Sequence, residues 1–259
     1  KKKYFNTKSI YKNELEKSEK VYKNTIASIK IFILKKYIKK LNNTHLLDLG
    51  AGKGTFLMHV KHHFKSSLGV DFSALNLEKK IKTKIKFISE NPEIFIKRNL
   101  KNFDIITLNN VLEHVPDPIL FMQTLKKNIK KGALVFVSIP NDFSQLQKET
   151  NKRVKKKNYW IHSIEHLSYF NKESFRNFSE KLGFSLLDAI SDFPIELFLL
   201  KKDFDYTRNP KLGKKIHLLR CEIYSYLQKH SSIEKLYNFS KSIYDLDIGR
   251  DYFYLLKRK

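Results

Sequence analysis

A chain of 259 residues in which 41% are apolar and 13% aromatic can bury a full core, which excludes a disordered chain, and its one cysteine, Cys221, excludes an internal disulfide or a cysteine-based zinc cluster. The net charge of +25 comes mostly from Lys dispersed along the whole chain rather than from Arg gathered in a stripe, so compositional drift in an AT-rich bacterial genome is the first reading and a nucleic-acid partner the alternative. No apolar run reaches bilayer length and the first residues, Lys1 to Asn6, carry no secretory segment, which predicts a cytoplasmic protein without a membrane span.

Residues 13 to 41 read as a helix, with Ile26, Ile29, Ile33 and Tyr37 at helical spacing and Lys residues assigned to the solvated face; Asn42 and Asn43 break it. The stretch Leu46-Leu47-Asp48-Leu49-Gly50-Ala51-Gly52-Lys53-Gly54-Thr55-Phe56-Leu57 then predicts a buried strand, a glycine turn and the start of a helix. Without side chains at Gly50 and Gly52 the backbone turns sharply and a ligand can approach the first helical amides, with Asp48, Gly50, Ala51 and Gly52 around it. About twenty residues on, the short strand Ser67 to Val70 ends in Asp71, placed to accept hydrogen bonds from both ribose hydroxyls of a nucleoside. His59, His62 and His63 have pairwise helical spacing but no acidic or Cys partner nearby; they are read as surface residues, and no metal site is expected.

Ser73 is a candidate N-cap for a helix after Asp71, and Phe72 a face for an adenine ring. Apolar strands follow over 84–89, ending at Glu90 and Asn91, over 103–108, ending at Asn109 and Asn110, and over 132–139, ending at Pro140, Asn141 and Asp142. Polar residues at the carboxyl tips of parallel strands face the crevice where ligands bind. The Asn- and Lys-rich stretch 144–158 is expected to be exposed and mobile, and the aromatic segment 159–171 to form a substrate rim. Strands over 184–190 and 251–257 enclose an insertion of helical character in which Cys221 packs.

The glycine-turn stretch, followed by Gly69-Val70-Asp71-Phe72-Ser73, resembles the first two motifs of class I S-adenosylmethionine-dependent methyltransferases, and Phe103-Asp104 leading to Val111-Leu112-Glu113-His114-Val115-Pro116-Asp117-Pro118 resembles their fourth-strand motif. The dinucleotide pattern fits less well, since Thr55 stands at the third glycine position. The resemblance covers roughly 44–190. It implies an α/β fold, Rossmann-like and doubly wound: a mostly parallel seven-stranded sheet with an antiparallel last strand, N-terminal helices and a helical insertion before that strand. The expected organisation is a helical cap over 1–43, the cofactor-binding core over 44–193, an insertion serving as lid or homodimer surface over 194–249, and a final core strand over 250–259.

It further implies S-adenosylmethionine as cofactor, with Glu90 or Asn91 at the adenine amino group and Asn109 and Asn110 at the methionine end. The implied acceptor is a small molecule or carbohydrate of a bacterial biosynthetic pathway, methylated on oxygen, with nitrogen acceptors and RNA as alternatives. An oxygen acceptor calls for a base; His166 leads the candidates, followed by His114, Glu165 and His162. The badly placed Cys221 disfavours cytosine C5 chemistry, and Asn109-Asn110-Val111-Leu112 lacks the signature of adenine amino methylation.

Overall fold

The structure of the protein, a computed structural model, describes residues 13–74, 85–161 and 164–259. Its frame is a seven-stranded sheet of β1 (His45–Leu49), β2 (Ser66–Val70), β3 (Lys86–Ile88), β4 (Ile105–Asn109), β5 (Leu134–Pro140), β6 (Phe184–Ser191) and β7 (Asp251–Arg258), in the order β3-β2-β1-β4-β5-β7-β6. Strands β1 to β5 are parallel, and β7 is antiparallel to both β5 and β6. This is the doubly wound sheet expected from the sequence, with the chain reversal between β1 and β4 opening a crevice at their carboxyl ends.

Strand alternation sorts the side chains into two cores. Leu46, Ile105, Leu134, Phe136, Phe253 and Leu255 face α1 (Asn13–Tyr37), α2 (Thr55–Val60) and the insertion helices. Leu47, Leu49, Ile106, Leu108, Val135, Val137 and Tyr254 face the other way, onto α3 (Pro92–Phe95), α4 (Pro118–Asn128) and α6 (Lys172–Lys181). Every residue of β5 is buried, as its unbroken apolar run requires. The register places Asn109 beside Ser138 and Ser138 beside Phe253, so Asp48, Thr107, Asn109, Ser138 and Asp251 form a polar band at the crevice end of the α1 face.

The insertion is two helices, α7 (Pro210–His230) and α8 (Ile233–Asp245), preceded by 3-10 turns. Helix α7 packs on α1 and α8 lies against β6 and α1, and Cys221 of α7 is fully buried. The stretch expected to be mobile instead contains α5 (Gln145–Arg153): Ser144 and Gln147 close a reciprocal capping box, and Leu146, Gln147 and Thr150 are buried. The rim aromatics also turn inward, since Tyr159 and Trp160 pack with Val154 and Leu199. The helix anticipated after Ser73 and the candidate His162 lie outside the described residues. Among those residues, no helix is long and apolar enough to cross a membrane.

Candidate functional site

The glycine turn is built by close approach. Gly50 has φ +74, and a Cβ there would stand 2.5 Å from Cγ2 of Val111. Its N–H and that of Ala51 donate to the Val70 carbonyl at 2.8 and 3.1 Å, while the Gly52 N–H donates to Asp71 Oδ2 at 2.9 Å. Turn amides expected to face a ligand are thus partly spent on clamping the β2 tip, and Asp71 is held in place by the turn it was expected to flank. The Ser73 N–H and hydroxyl fix its second oxygen at 2.8 and 2.6 Å.

Beyond the turn lies a cavity of about 360 Å³ between the carboxyl ends of β1, β4 and β5 and the helices α1 and α7. Asp48, Gly50, Ala51, Asn109 and Asn110 line it, as do Thr55 and Phe56 of α2. At its floor stands a residue the sequence reading misplaced. Lys30 was assigned to the solvated face of α1, yet it is 4% exposed, donating to Asn109 Oδ1 at 2.6 Å and to Ser138 Oγ at 2.7 Å. Its spacing carried the signal: Lys30 is four residues after Ile26 and four before Leu34, both buried, which puts a cation in an apolar stripe. Burial lowers its pKa to about 7, opposed by the charge of Asp48. Asp48 is raised to about 6 by burial, against hydrogen bonds from Thr107 at 2.6 Å and Asn109 at 2.9 Å. The floor can therefore present a cation and a carboxylate side by side.

The other sequence candidates divide. Phe72 is 61% exposed, Glu90 pairs with Arg98 at 3.0 Å, and the Asn91 side chain caps α3 by accepting from the Glu93 N–H at 2.8 Å. His114, Glu165 and His166 are brought together: the Glu165 carbonyl lies 2.6 Å from His114 Nδ1, and the two imidazoles meet edge to face at 5.1 Å. With the buried Glu113, whose pKa burial raises to about 8, the two imidazoles bring one ligand atom each to within 4.8 Å of one another, a spacing that could hold a cation although the sequence suggested none. None of these three candidates lines the cavity shared by Asn109, Asn110 and the glycine turn; His59, read as a surface residue, does line it and meets Ser28 Oγ at 2.9 Å.

Two residues past the end of β5, Asp142 is 1% exposed, and among the described residues neither carboxylate oxygen has a hydrogen-bond partner. Burial pushes its pKa up to about 7 despite Arg250. A folded-state pKa above the ordinary carboxylate value means that stability present at acid pH is lost as pH rises through 7. Because the unfolded carboxyl ionises at about 4 and the folded one at about 7, Asp142→Asn is expected to melt on the order of 5 °C above the wild type at pH 8, about 2 kcal/mol, and to lose that margin progressively as the pH is lowered from 7 to 4; thermal unfolding across this range checks the trend.

A methyltransferase-domain family profile matches residues 22–189. Two curated relatives are named ubiquinone biosynthesis O-methyltransferase. That of Coxiella burnetii is 27% identical over 198 residues, covering 67% of this chain and 77% of the relative. That of Pelagibacter ubique is 33% identical over 119 residues, or 44% of this chain and about half (49%) of the relative. Among solved structures, a SAM-dependent methyltransferase from Archaeoglobus fulgidus superposes with TM-score 0.54 at 19% identity, covering 91% of this chain and 94% of its own. The plantazolicin methyltransferase BpumL, solved with a desmethylPZN analog and SAH, gives 0.57 at 14% identity over 93% and 85% of the two chains. Fold, glycine turn and cleft together define a class I S-adenosylmethionine-dependent methyltransferase. The chain belongs to the methyltransferase-domain family, and its cofactor is S-adenosylmethionine.

Proposed function

We propose that the chain methylates an oxygen atom of a small-molecule or carbohydrate acceptor in a bacterial biosynthetic pathway. The observation that carries this reading is the cavity that runs from the glycine turn to helices α1 and α7, in a chain whose curated relatives are named as O-methyltransferases. The buried Lys30–Asn109–Asp48 array suits a zwitterionic ligand. Asp71 would take the ribose hydroxyls, Phe72, Glu90 and Asn91 would border the adenine, and Lys30, Asp48, Asn109 and Asn110 would hold the amino-acid end, its carboxylate toward Lys30. When bound, S-adenosylmethionine supplies an electrophilic methyl carbon on a positively charged sulfur. The protein then has to align the acceptor, exclude water and receive one proton.

Asp71→Ala is expected to weaken binding of S-adenosylhomocysteine by about 1–3 kcal/mol, because charge-assisted hydrogen bonds are lost and the Gly52 amide is released. Titration calorimetry on the two proteins checks this. The acceptor assignment is tested with methyl-labelled S-adenosylmethionine and paired hydroxyl and amine acceptors. Label in the hydroxyl compounds is expected, and label confined to amines or to RNA would overturn the oxygen assignment.

A further inference from the structure

Away from the glycine turn the cavity is bounded by residues of α1 and α7 and by the start of β7. Beside the apolar Ile26 and Ala27 of α1, polar groups line it: Tyr22, Lys23 and Asn24 from α1, His217 and Arg220 from α7, and Asp251 from β7. Most of these groups are already committed. Arg220 donates to Asp192 Oδ2 at 2.9 Å, the Tyr22 hydroxyl donates to the same oxygen at 2.6 Å, and Arg220 also donates to His217 Nδ1 at 2.9 Å. A guanidinium can only donate, so Nδ1 of His217 is the acceptor nitrogen and the ring proton sits on Nε2. Burial and Arg220 hold His217 at about 4, which leaves that imidazole neutral and its basic nitrogen occupied.

Asp251 differs. Its backbone is fixed on both sides, the N–H donating to Asp192 Oδ1 at 2.8 Å and the carbonyl accepting from Ser191 Oγ at 2.8 Å. Its side chain lines the cavity, and among the described residues its carboxylate takes no hydrogen bond and no ion pair. The register sets Asp251 opposite Pro140 and two residues before Phe253, on the face that carries Ser138, Asn109 and Lys30. A held carboxylate with no hydrogen bond or ion pair among the described residues, its charge felt by Lys30, Arg220 and Arg250, therefore borders the cavity near the proposed amino-acid end of the cofactor. An apolar group set against this carboxylate would desolvate it without supplying a hydrogen bond, whereas a hydroxyl would donate one.

We propose that Asp251 binds the acceptor hydroxyl and receives its proton, and that the acceptor is a small hydroxylated molecule seated between α1 and α7. This rests on the methyl-transfer reading above. In the step, the acceptor oxygen forms a bond to the methyl carbon, the carbon–sulfur bond breaks with its electron pair left on sulfur, and the hydroxyl proton passes to the Asp251 carboxylate.

The test loads wild type, Asp251→Asn and Asp251→Glu with S-adenosylhomocysteine by calorimetry, then titrates each with catechol and with methyl α-glucoside. It also follows methyl transfer from labelled S-adenosylmethionine, with thermal melts to verify folding. The expected result is cofactor-product affinity within about threefold across the three proteins, at least one probe bound about tenfold more weakly by Asp251→Asn, kcat lowered about a hundredfold, and partial recovery in Asp251→Glu. Normal cofactor-product binding, with probe affinity and turnover retained in Asp251→Asn or with neither probe bound by the wild type, would overturn the Asp251 assignment alone. Failure of the wild type to bind S-adenosylhomocysteine would instead remove the methyl-transfer reading on which it rests. If Asp251→Asn does not fold, Asp251→Glu decides: a lengthened carboxylate that leaves probe affinity and kcat at wild-type values contradicts the assignment.

Discussion

Replacing Lys30 by methionine is expected to weaken binding of S-adenosylhomocysteine about a hundredfold, the largest loss from any single side chain in the cleft. Methionine keeps the length and apolar stem but not the ammonium, so the Phe56, Phe136 and Phe253 rings that lie 5.4, 5.3 and 4.9 Å from it stay packed. What is lost is the cation assigned to the cofactor carboxylate and the donor to Asn109 and Ser138. Truncating one member of a buried charge pair costs about 2–5 kcal/mol, much of it from the partner left uncompensated. The ammonium has a pKa of about 7 without ligand, so a bound carboxylate, which favours the charged form, is expected to draw a proton onto it. Calorimetry at pH 8 in two buffers of different ionisation enthalpy should show proton uptake by the wild type and much less by Lys30→Met.

Gly50→Ala is expected to cost about 2–4 kcal/mol of stability and to abolish cofactor-product binding at micromolar concentrations. Two effects add. The positive φ of +74 is unfavourable for any residue with a Cβ, by about 1–2 kcal/mol. The new methyl also overlaps Cγ2 of Val111, two residues past the end of β4, so either that side chain or the turn must shift. Adding Val111→Ala should recover the steric part and leave the backbone strain. Denaturant melts of the two single variants and the double variant separate the contributions, and strictly additive losses would show that the overlap is not the cause.

Much of the frame was legible because it follows from local periodicity. The apolar runs at β1, β4 and β5, each ending in a polar tip, have no other economical placement than adjacent parallel strands buried on both faces. The glycine turn and Asp71 were legible because only a few residue types permit that backbone and that contact. Lys30, Arg220 and Asp251 were not. Each is a charged residue in a segment whose average pattern is amphipathic helix or core strand, and each acquires its role from partners far along the chain: Asn109 for Lys30, Asp192 for Arg220, and the α1–α7 wall for Asp251. The composition of 144–158 suggested exposure, but the Ser144–Gln147 capping box and three buried positions outweigh it. The loop histidines illustrate the reverse limit: the fourth-strand motif placed His114, and the aromatic rim segment His166, near the cleft, while the structure groups both around Glu113 and leaves the cavity lining to others.

The most direct measurement is a calorimetric titration of the purified chain with S-adenosylhomocysteine, run beside a titration with NAD. One-to-one binding of the first compound, weakened in Asp71→Ala and Lys30→Met, with no heat from the second, is the expected result. Absence of binding by S-adenosylhomocysteine together with saturable binding of NAD would contradict the account at its base.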